Sequence, residues 1–275
     1  MKNIVYLIIV QTIFAISCSQ QEKIELMSYD EYVELSVSIQ IPYVLEIDAD
    51  KGSLLYFGSE HSVDRTHPQF NLMNNLWNEF KPTIAFSEGG IWELEESREK
   101  AISKHGEHGF LRFLAERDEI PIHSIEPTEG EEIKYLLERF SPEELKLYYL
   151  LRQVVQHRRM GYVESIEDYI EKFIFIFGDR EGLHGVVNSV AEFEEIYSKY
   201  INEPGDWRNV PDTWFNPLLD ETIFNQIGQL LSRFRDEHML KLLTEQVRNG
   251  NRVFAVVGLT HVVMQEPVLR HNLKK

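Results

Sequence analysis

The chain has 275 residues and a single cysteine, Cys18. One thiol cannot form an intramolecular disulfide framework, a thiolate zinc site or a Cys-x-x-Cys redox pair, so these three classes of chemistry are excluded within the chain. Histidine, carboxylate and arginine side chains are left as the groups that can carry chemistry. The position of Cys18, directly after an apolar segment, points to a role outside the fold.

Basic residues are also scarce, with 28 Lys and Arg against 45 Asp and Glu, for a net charge of −17. Nucleic-acid binding requires a clustered basic surface that contacts phosphates, so we expect no nucleic-acid partner. The sequence contains no Gly-x-Ser-x-Gly, His-Glu-x-x-His, Gly-x-Gly-x-x-Gly or phosphate-binding Gly-Lys-Ser/Thr motif. The familiar signatures of serine hydrolases, zinc peptidases and nucleotide-binding proteins are therefore missing.

The N-terminus has the organisation of a secretory signal. Lys2 precedes an apolar run from Ile4 to Ile16, and Ser17 stands before Cys18. The run is shorter than the roughly 20 residues that span a bilayer. Residues 15–18 are typical of a bacterial lipobox, which predicts a signal peptide over 1–17, lipidation of Cys18 and a tether over 18–28. A plain signal peptide, with secretion, and an N-terminal membrane anchor are the alternatives.

These features predict a protein of the bacterial cell envelope, attached to a membrane through Cys18 and facing the periplasm or the cell surface. Residues 29–275 contain no repeat, low-complexity tract or Pro/Gly-rich linker, so we expect one folded domain there.

Apolar segments in this region alternate between strand and helix patterns. Strands are predicted at 43–47, 54–57, 83–87, 120–125 and 252–257, with a hairpin turn between the first two. Helices are predicted at 29–39, 68–80, 187–201 and 221–247, and residues 129–180 are helix-rich. The alternation predicts an α/β fold in which helices cover a mostly parallel or mixed sheet, with a helical insertion at about 129–220.

On the long helix at 221–247 the apolar stripe changes face after Phe234. Arg235 is therefore expected at the border between core and solvent.

Four predicted strands are each followed by a histidine or a carboxylate: His61, Glu88, Glu126 and His261. Ligands of open α/β sheets bind beyond the carboxyl ends of the strands. His61, Glu88 and Glu126 follow one another at about the length of one strand–helix unit, roughly 30 residues, so parallel neighbours would bring the side chains together.

Each of these residues also has a structural alternative. Either histidine could hydrogen-bond backbone in a loop, Glu88 and Glu126 could cap helices, and Arg235 could be a solvated helix residue. His105 and His108 have the spacing of metal ligands, but the adjacent Gly106 and Gly109 predict a flexible loop there.

The sequence resembles the TraB/PrgY/GumN and Tiki group, and more distantly the erythromycin-esterase-like proteins and the haem-binding iron-regulated lipoproteins of the same fold. The resemblance spans about residues 43–270 and is carried by Tyr56-Phe57-Gly58-Ser59-Glu60-His61, Ile84-Ala85-Phe86-Ser87-Glu88 and Val256-Val257-Gly258-Leu259-Thr260-His261. An arginine-bearing helix, Arg233–Met239, precedes the last segment as it does in that family.

The resemblance to the Tiki branch implies a metal-dependent, peptidase-like hydrolase. His61, Glu88 and His261 would hold a divalent ion, with manganese, cobalt or zinc suiting the ligand set. Glu126 would act as base or second ligand, and Arg235 would stabilise the oxyanion. The substrate, a peptide or a small molecule, is not defined.

Two other branches imply different uses of the same positions. The erythromycin-esterase-like branch implies a metal-free hydrolase in which His61 and Glu88 activate water. The haem-binding branch implies a ligand-binding lipoprotein without catalysis, in which His61 or a nearby tyrosine ligates haem iron.

Overall fold

The computed structural model describes residues 25–274. Its elements follow in chain order: α1 (Tyr29–Ser36), β1 (Tyr43–Asp48), β2 (Ser53–Ser59), α2 (Pro68–Phe80), β3 (Ile84–Ser87), α3 (Arg98–Arg117), β4 (Ile122–Ser124), α4 (Glu129–Leu136), α5 (Pro142–Met160), α6 (Ile166–Gly178), α7 (Val190–Tyr200), two 3₁₀ turns (Trp207–Asn209 and Asp212–Phe215), α8 (Ile223–Arg248), β5 (Arg252–Gly258) and α9 (Leu259–Asn272). The predicted signal peptide and Cys18 lie outside the described residues.

The five strands form one mixed sheet in the order β1-β2-β5-β3-β4. β1 and β2 form the predicted antiparallel hairpin, and β2, β5, β3 and β4 run parallel to one another. The predicted α/β class is therefore confirmed. Because four parallel strands end at the same edge, the segments that follow them converge there.

Side-chain alternation along the strands separates two cores. Leu54 and Tyr56 of β2 face the layer that contains α8 and α9, while Leu55 and Phe57 face the layer that contains α2 and α3. Both sets are buried. Because both faces of β2 are buried, its residues form a continuous apolar run in the sequence.

Helices α4 to α7 and the two 3₁₀ turns pack around a third core, which corresponds to the predicted helical insertion. The first half of α8 contributes Phe224, Ile227 and Leu231 to that core. Its second half contributes Met239 and Leu243 to the core beneath the sheet. The apolar face of α8 therefore changes along the helix because its two halves pack against different cores.

The prediction of a flexible loop around His105 and His108 is wrong. Both residues lie in α3, which is kinked at Gly106, where φ is +57°. A Cβ at Gly106 would stand 2.8 Å from the carbonyl oxygen of Ser62, so this position requires both the backbone freedom and the absent side chain of glycine. Gly106 therefore separates two helical segments of α3, with His105 before the kink and His108 after it.

No helix within residues 25–274 is long and apolar enough to cross a membrane.

Candidate functional site

The candidate site lies beyond the carboxyl ends of the parallel strands. His61 follows β2, Glu88 follows β3, and His261 lies in the first turn of α9, directly after β5. The register pairs Ser59 with Gly258 and Ser87 with Val256, so β2, β5 and β3 end close to one another at the same edge of the sheet. We call His61, Glu88 and His261 the strand-end cluster.

His261 is oriented by a carboxylate on α8. Its Nδ1 donates a hydrogen bond to Oδ1 of the buried Asp236 at 2.6 Å, and the amide of Gln265 donates to the same oxygen at 2.6 Å. Burial alone would lower the pKa of His261, but the charge and hydrogen bond of Asp236 raise the pKa to about 9. The imidazole is therefore cationic at neutral pH in the ligand-free protein.

His61 is oriented in the same way by a carboxylate on α3. Its Nδ1 donates to Oε1 of the buried Glu107 at 2.6 Å, and this hydrogen bond raises the pKa of His61. Nε2 of His108 and Oγ of Ser59 lie 3.2 and 3.3 Å from the same glutamate oxygen. Burial alone would raise the pKa of Glu107, but the bonds from His108 and His61 hold it far below its ordinary value.

Glu88 follows β3 and lies beside His261, which follows the neighbouring strand β5. Its Oε2 accepts a hydrogen bond from the Gly258 amide at 2.7 Å, and its Oε1 is 3.8 Å from Nε2 of His261. Burial would raise the pKa of Glu88, but the charge of His261 and the Gly258 amide lower it, so the group is an anion.

The missing side chain of Gly258 leaves room between these groups. A Cβ there would stand 3.6 Å from Oε2 of Glu88 and 3.7 Å from Nε2 of His61. Oε2 of Glu88 and Nε2 of His61 therefore border one small space.

Arg235 and Glu126 form a network beside the cluster. Arg235 donates from Nε and Nη2 to Glu132 of α4 at 2.6 and 3.2 Å, and its Nη1 is 3.0 Å from Oε1 of Glu126. Oε2 of Glu126 accepts from the amide of Gly89 at 2.9 Å. The cap of α4 is Thr128, so Glu126 holds the segment after Glu88 and does not cap that helix.

A cavity of about 480 Å³ opens beside His61 and Glu88. It lies between the loop after β2, the loop after β3 and the kinked part of α3. Its lining includes Val63, Gly89, Trp92, Lys104, His105 and Glu107. We call this space the α3 cavity.

Histidine and carboxylate groups at the site could hold a metal ion. Within residues 25–274, two groups place all their ligand atoms within 4.8 Å of one another: His61/Glu107/His108 and Glu93/Glu95/His105. The predicted set His61, Glu88 and His261 is not one of these two groups and shares only His61 with the first. In the second group Glu95 is already paired with Lys104 at 2.7 Å.

Glu107 and Asp236 are site residues that were not predicted from the sequence, and His108 was assigned there to a flexible loop. The sequence does mark Asp236, because this acidic residue stands one helical turn before Leu240, on the face of α8 that packs against the core. Glu107 lies between two histidines in a segment whose glycines predict a loop. Its position in a helix and its burial could therefore not be predicted from the sequence.

Comparisons of the sequence with family models, with curated proteins and with solved structures give no match. The resemblance to the TraB/GumN and Tiki group stays a prediction. Function is therefore argued from the geometry of the site itself.

Proposed function

We propose that the protein is a hydrolase that activates water at the strand-end cluster, with a divalent metal ion held by His61, Glu88 and His261. One observation carries the proposal: each histidine binds a buried carboxylate through Nδ1, which leaves Nε2 of His261 facing Glu88 and Nε2 of His61 facing the gap at Gly258. Carboxylate–histidine pairs of this kind fix the tautomer and increase the basicity of metal-ligating imidazoles.

The donor set suits such an ion. Two imidazole nitrogens and one carboxylate are ligands that zinc, manganese and cobalt accept, and the Gly258 gap leaves space between them. Glu107 and Asp236 supply further negative charge behind the ligands. When bound, the ion would lower the pKa of water and polarise a carbonyl group.

Glu88 keeps one oxygen for chemistry, because its Oε2 is fixed by the Gly258 amide. Its Oε1 would bind the ion in the metal-dependent reaction, and it would accept the proton of the attacking water in a metal-free reaction. The expected oxyanion role of Arg235 is less well supported, because its guanidinium already contacts Glu132 and Glu126. We propose instead that Arg235 fixes Glu126, and through it the Gly89 amide next to Glu88.

The group His61/Glu107/His108 is the less favourable ligand set. Its close spacing reflects hydrogen bonds, since one oxygen of Glu107 lies within 3.3 Å of Ser59, His61 and His108. An ion at that oxygen would have to replace these bonds. At the strand-end cluster the Gly258 amide occupies Oε2 of Glu88, and Oε1 lies 3.8 Å from Nε2 of His261.

A metal-free hydrolase is the second candidate, and the charge of His261 favours it. A cationic imidazole 3.8 Å from Glu88 supplies positive charge at the place where an ion would stand. His61, with its Nδ1 on Glu107, would then act with Glu88 as the general base.

Metal analysis of point variants tests the ligand set. After loading with manganese, cobalt or zinc, the purified protein is expected to retain about one equivalent of ion. His61→Ala and His261→Ala should abolish this binding, whereas His108→Ala and the control His157→Ala, on α5, should keep it. Thermal melts establish that each variant folds. Loss with His108→Ala and retention with His261→Ala would contradict the proposed set.

Hydrolysis is measured on the same samples with fluorogenic ester and peptide panels. Glu88→Gln is expected to lower the rate by about 10²–10⁴-fold, the usual contribution of an acid–base group. Activity that persists in folded Glu88→Gln would contradict the hydrolase. Activity with no bound ion would instead select the metal-free candidate.

We propose that the hydrolase acts at the bacterial cell envelope, on the basis of the signal sequence and Cys18. A myristoyl chain alone binds membranes reversibly, so stable attachment requires more than one acyl chain. Cys18→Ala is expected to move the protein from the membrane fraction to the soluble fraction of bacterial cells. Continued membrane association of the variant would contradict lipidation at this residue.

A further inference from the structure

We infer that the α3 cavity binds one large, uncharged apolar group of the substrate, aromatic or branched aliphatic, next to the bond that is hydrolysed. The inference rests on the proposed function for its position relative to that bond. The binding of an apolar group depends only on the residues that line the cavity. A volume of about 480 Å³ lies within the range of about 300–1,000 Å³ that small-molecule sites occupy.

Trp92 forms a fixed aromatic wall of the cavity. Its indole Nε1 donates to the carbonyl oxygen of Glu88 at 3.2 Å, and its ring lies parallel to that of His108, with centroids 6.0 Å apart. A Cβ at Gly89 would stand 3.0 Å from Cζ2 of Trp92, so the glycine allows the ring to approach the backbone. The hydrogen bond therefore joins the wall directly to the backbone of Glu88.

Apolar side chains form part of the cavity lining although the protein carries a net negative charge. Val63 and Trp92 belong to the lining, and Val63 has 60% of its area exposed. Exposed apolar side chains at a cavity are typical of a binding surface. Burying them with a ligand would yield about 25 cal/mol for each Å².

Charges around the cavity favour an uncharged group. The carboxylate of Glu88 lines the cavity and repels an anion. The charge of Lys104 is paired with Glu95 at 2.7 Å, and His61 and His108 are paired with Glu107. An aromatic or branched aliphatic group satisfies the walls and creates no unpaired charge.

Binding to inactive protein tests the cavity independently of catalysis. Glu88→Gln protein is titrated with N-acetyl-phenylalanine amide, N-acetyl-leucine amide, N-acetyl-glycine amide and N-acetyl-aspartic acid amide, and binding is followed by calorimetry. The first two are expected to bind at least tenfold more tightly than the glycine and aspartate amides, the scale on which apolar pockets discriminate. Equal affinity for all four would overturn the inference.

Substitutions then locate the binding. Added to Glu88→Gln, Trp92→Ala and Val63→Asp should each weaken binding of the phenylalanine amide about tenfold. Trp92→Phe should retain most of it. The control Phe175→Ala, which removes an aromatic ring that is 73% exposed on α6, should change nothing. Unchanged binding in both Trp92→Ala and Val63→Asp would overturn the inference, and Val63→Asp keeps the test valid if Trp92→Ala fails to fold.

Hydrolysis of the matching methyl esters by the wild-type protein separates the two proposals. Selective binding without hydrolysis supports the cavity and contradicts the hydrolase. Hydrolysis without preference for the phenylalanine ester supports the hydrolase and contradicts the cavity.

Discussion

Replacing Glu107 with glutamine is expected to weaken metal binding at the proposed centre by about 10–100-fold, the effect of removing an outer-shell carboxylate. Glutamine preserves the shape of the side chain and can still accept the hydrogen bond from Nδ1 of His61. It removes the charge that raises the pKa of His61 and makes the imidazole a stronger ligand. Competition titration against a fluorescent chelator measures the change.

The size of the loss in metal affinity distinguishes a Glu107 that only orients His61 from a Glu107 that binds the ion directly. A residue behind His61 gives the moderate loss, whereas a direct ligand of the ion would give complete loss at ordinary metal concentrations. Glu116→Gln serves as the control, because Glu116 is an exposed glutamate of the same helix and its partner is Arg112. An affinity equal to that of the wild-type protein would mean that Glu107 has only a structural role.

The metal-free protein is expected to lose roughly 3 kcal/mol of folding stability as the pH rises from 6.5 to about 9. The pKa of His261 is raised from 6.5 in the unfolded chain to about 9 in the folded protein, and its side chain is only 14% exposed. A raised pKa stabilises the folded state fully below pH 6.5. That contribution disappears as the imidazole loses its proton in the fold.

Asp236→Asn should remove most of this pH dependence, because asparagine carries no charge to hold the proton on His261. Urea unfolding of both proteins at several pH values, in the presence of a chelator, measures the difference. The variant should be the less stable protein at pH 6.5, and the gap should narrow by pH 9. Lys146, whose pKa is lowered to about 8 by burial, acts in the opposite direction above pH 8, but it is common to both proteins. A gap that stays constant with pH would contradict the assignment to His261.

The sequence predicted the sheet well because its strands are short apolar runs that end in chemically distinctive residues. His61, Glu88 and His261 follow β2, β3 and β5, and parallel order alone brings those ends together. The helical insertion and the change of face on α8 were also readable, since burial leaves a periodic apolar stripe. These features depend on local pattern.

The carboxylates that hydrogen-bond to His61 and His261 could not be predicted from the sequence. Glu107 reaches His61 only because α3 bends at Gly106, and a lone glycine between histidines predicts a loop as readily as a kink. Asp236 reaches His261 only because α8 packs beside α9, which the sequence does not specify. Side-chain partners that meet across separate elements are set by packing, and packing leaves little trace in one sequence.

The site groups come from the loop after β2, the loop after β3, the middle of α3, the middle of α8 and the start of α9. In a denatured chain these segments are far apart, so the unfolded state has no comparable binding site. Any ion or ligand held there stabilises the native state alone, by about 2.7 kcal/mol at a free concentration one hundred times its dissociation constant. Occupancy of the site and the stability of the folded protein are therefore thermodynamically linked, so the midpoint of unfolding rises as the site is filled.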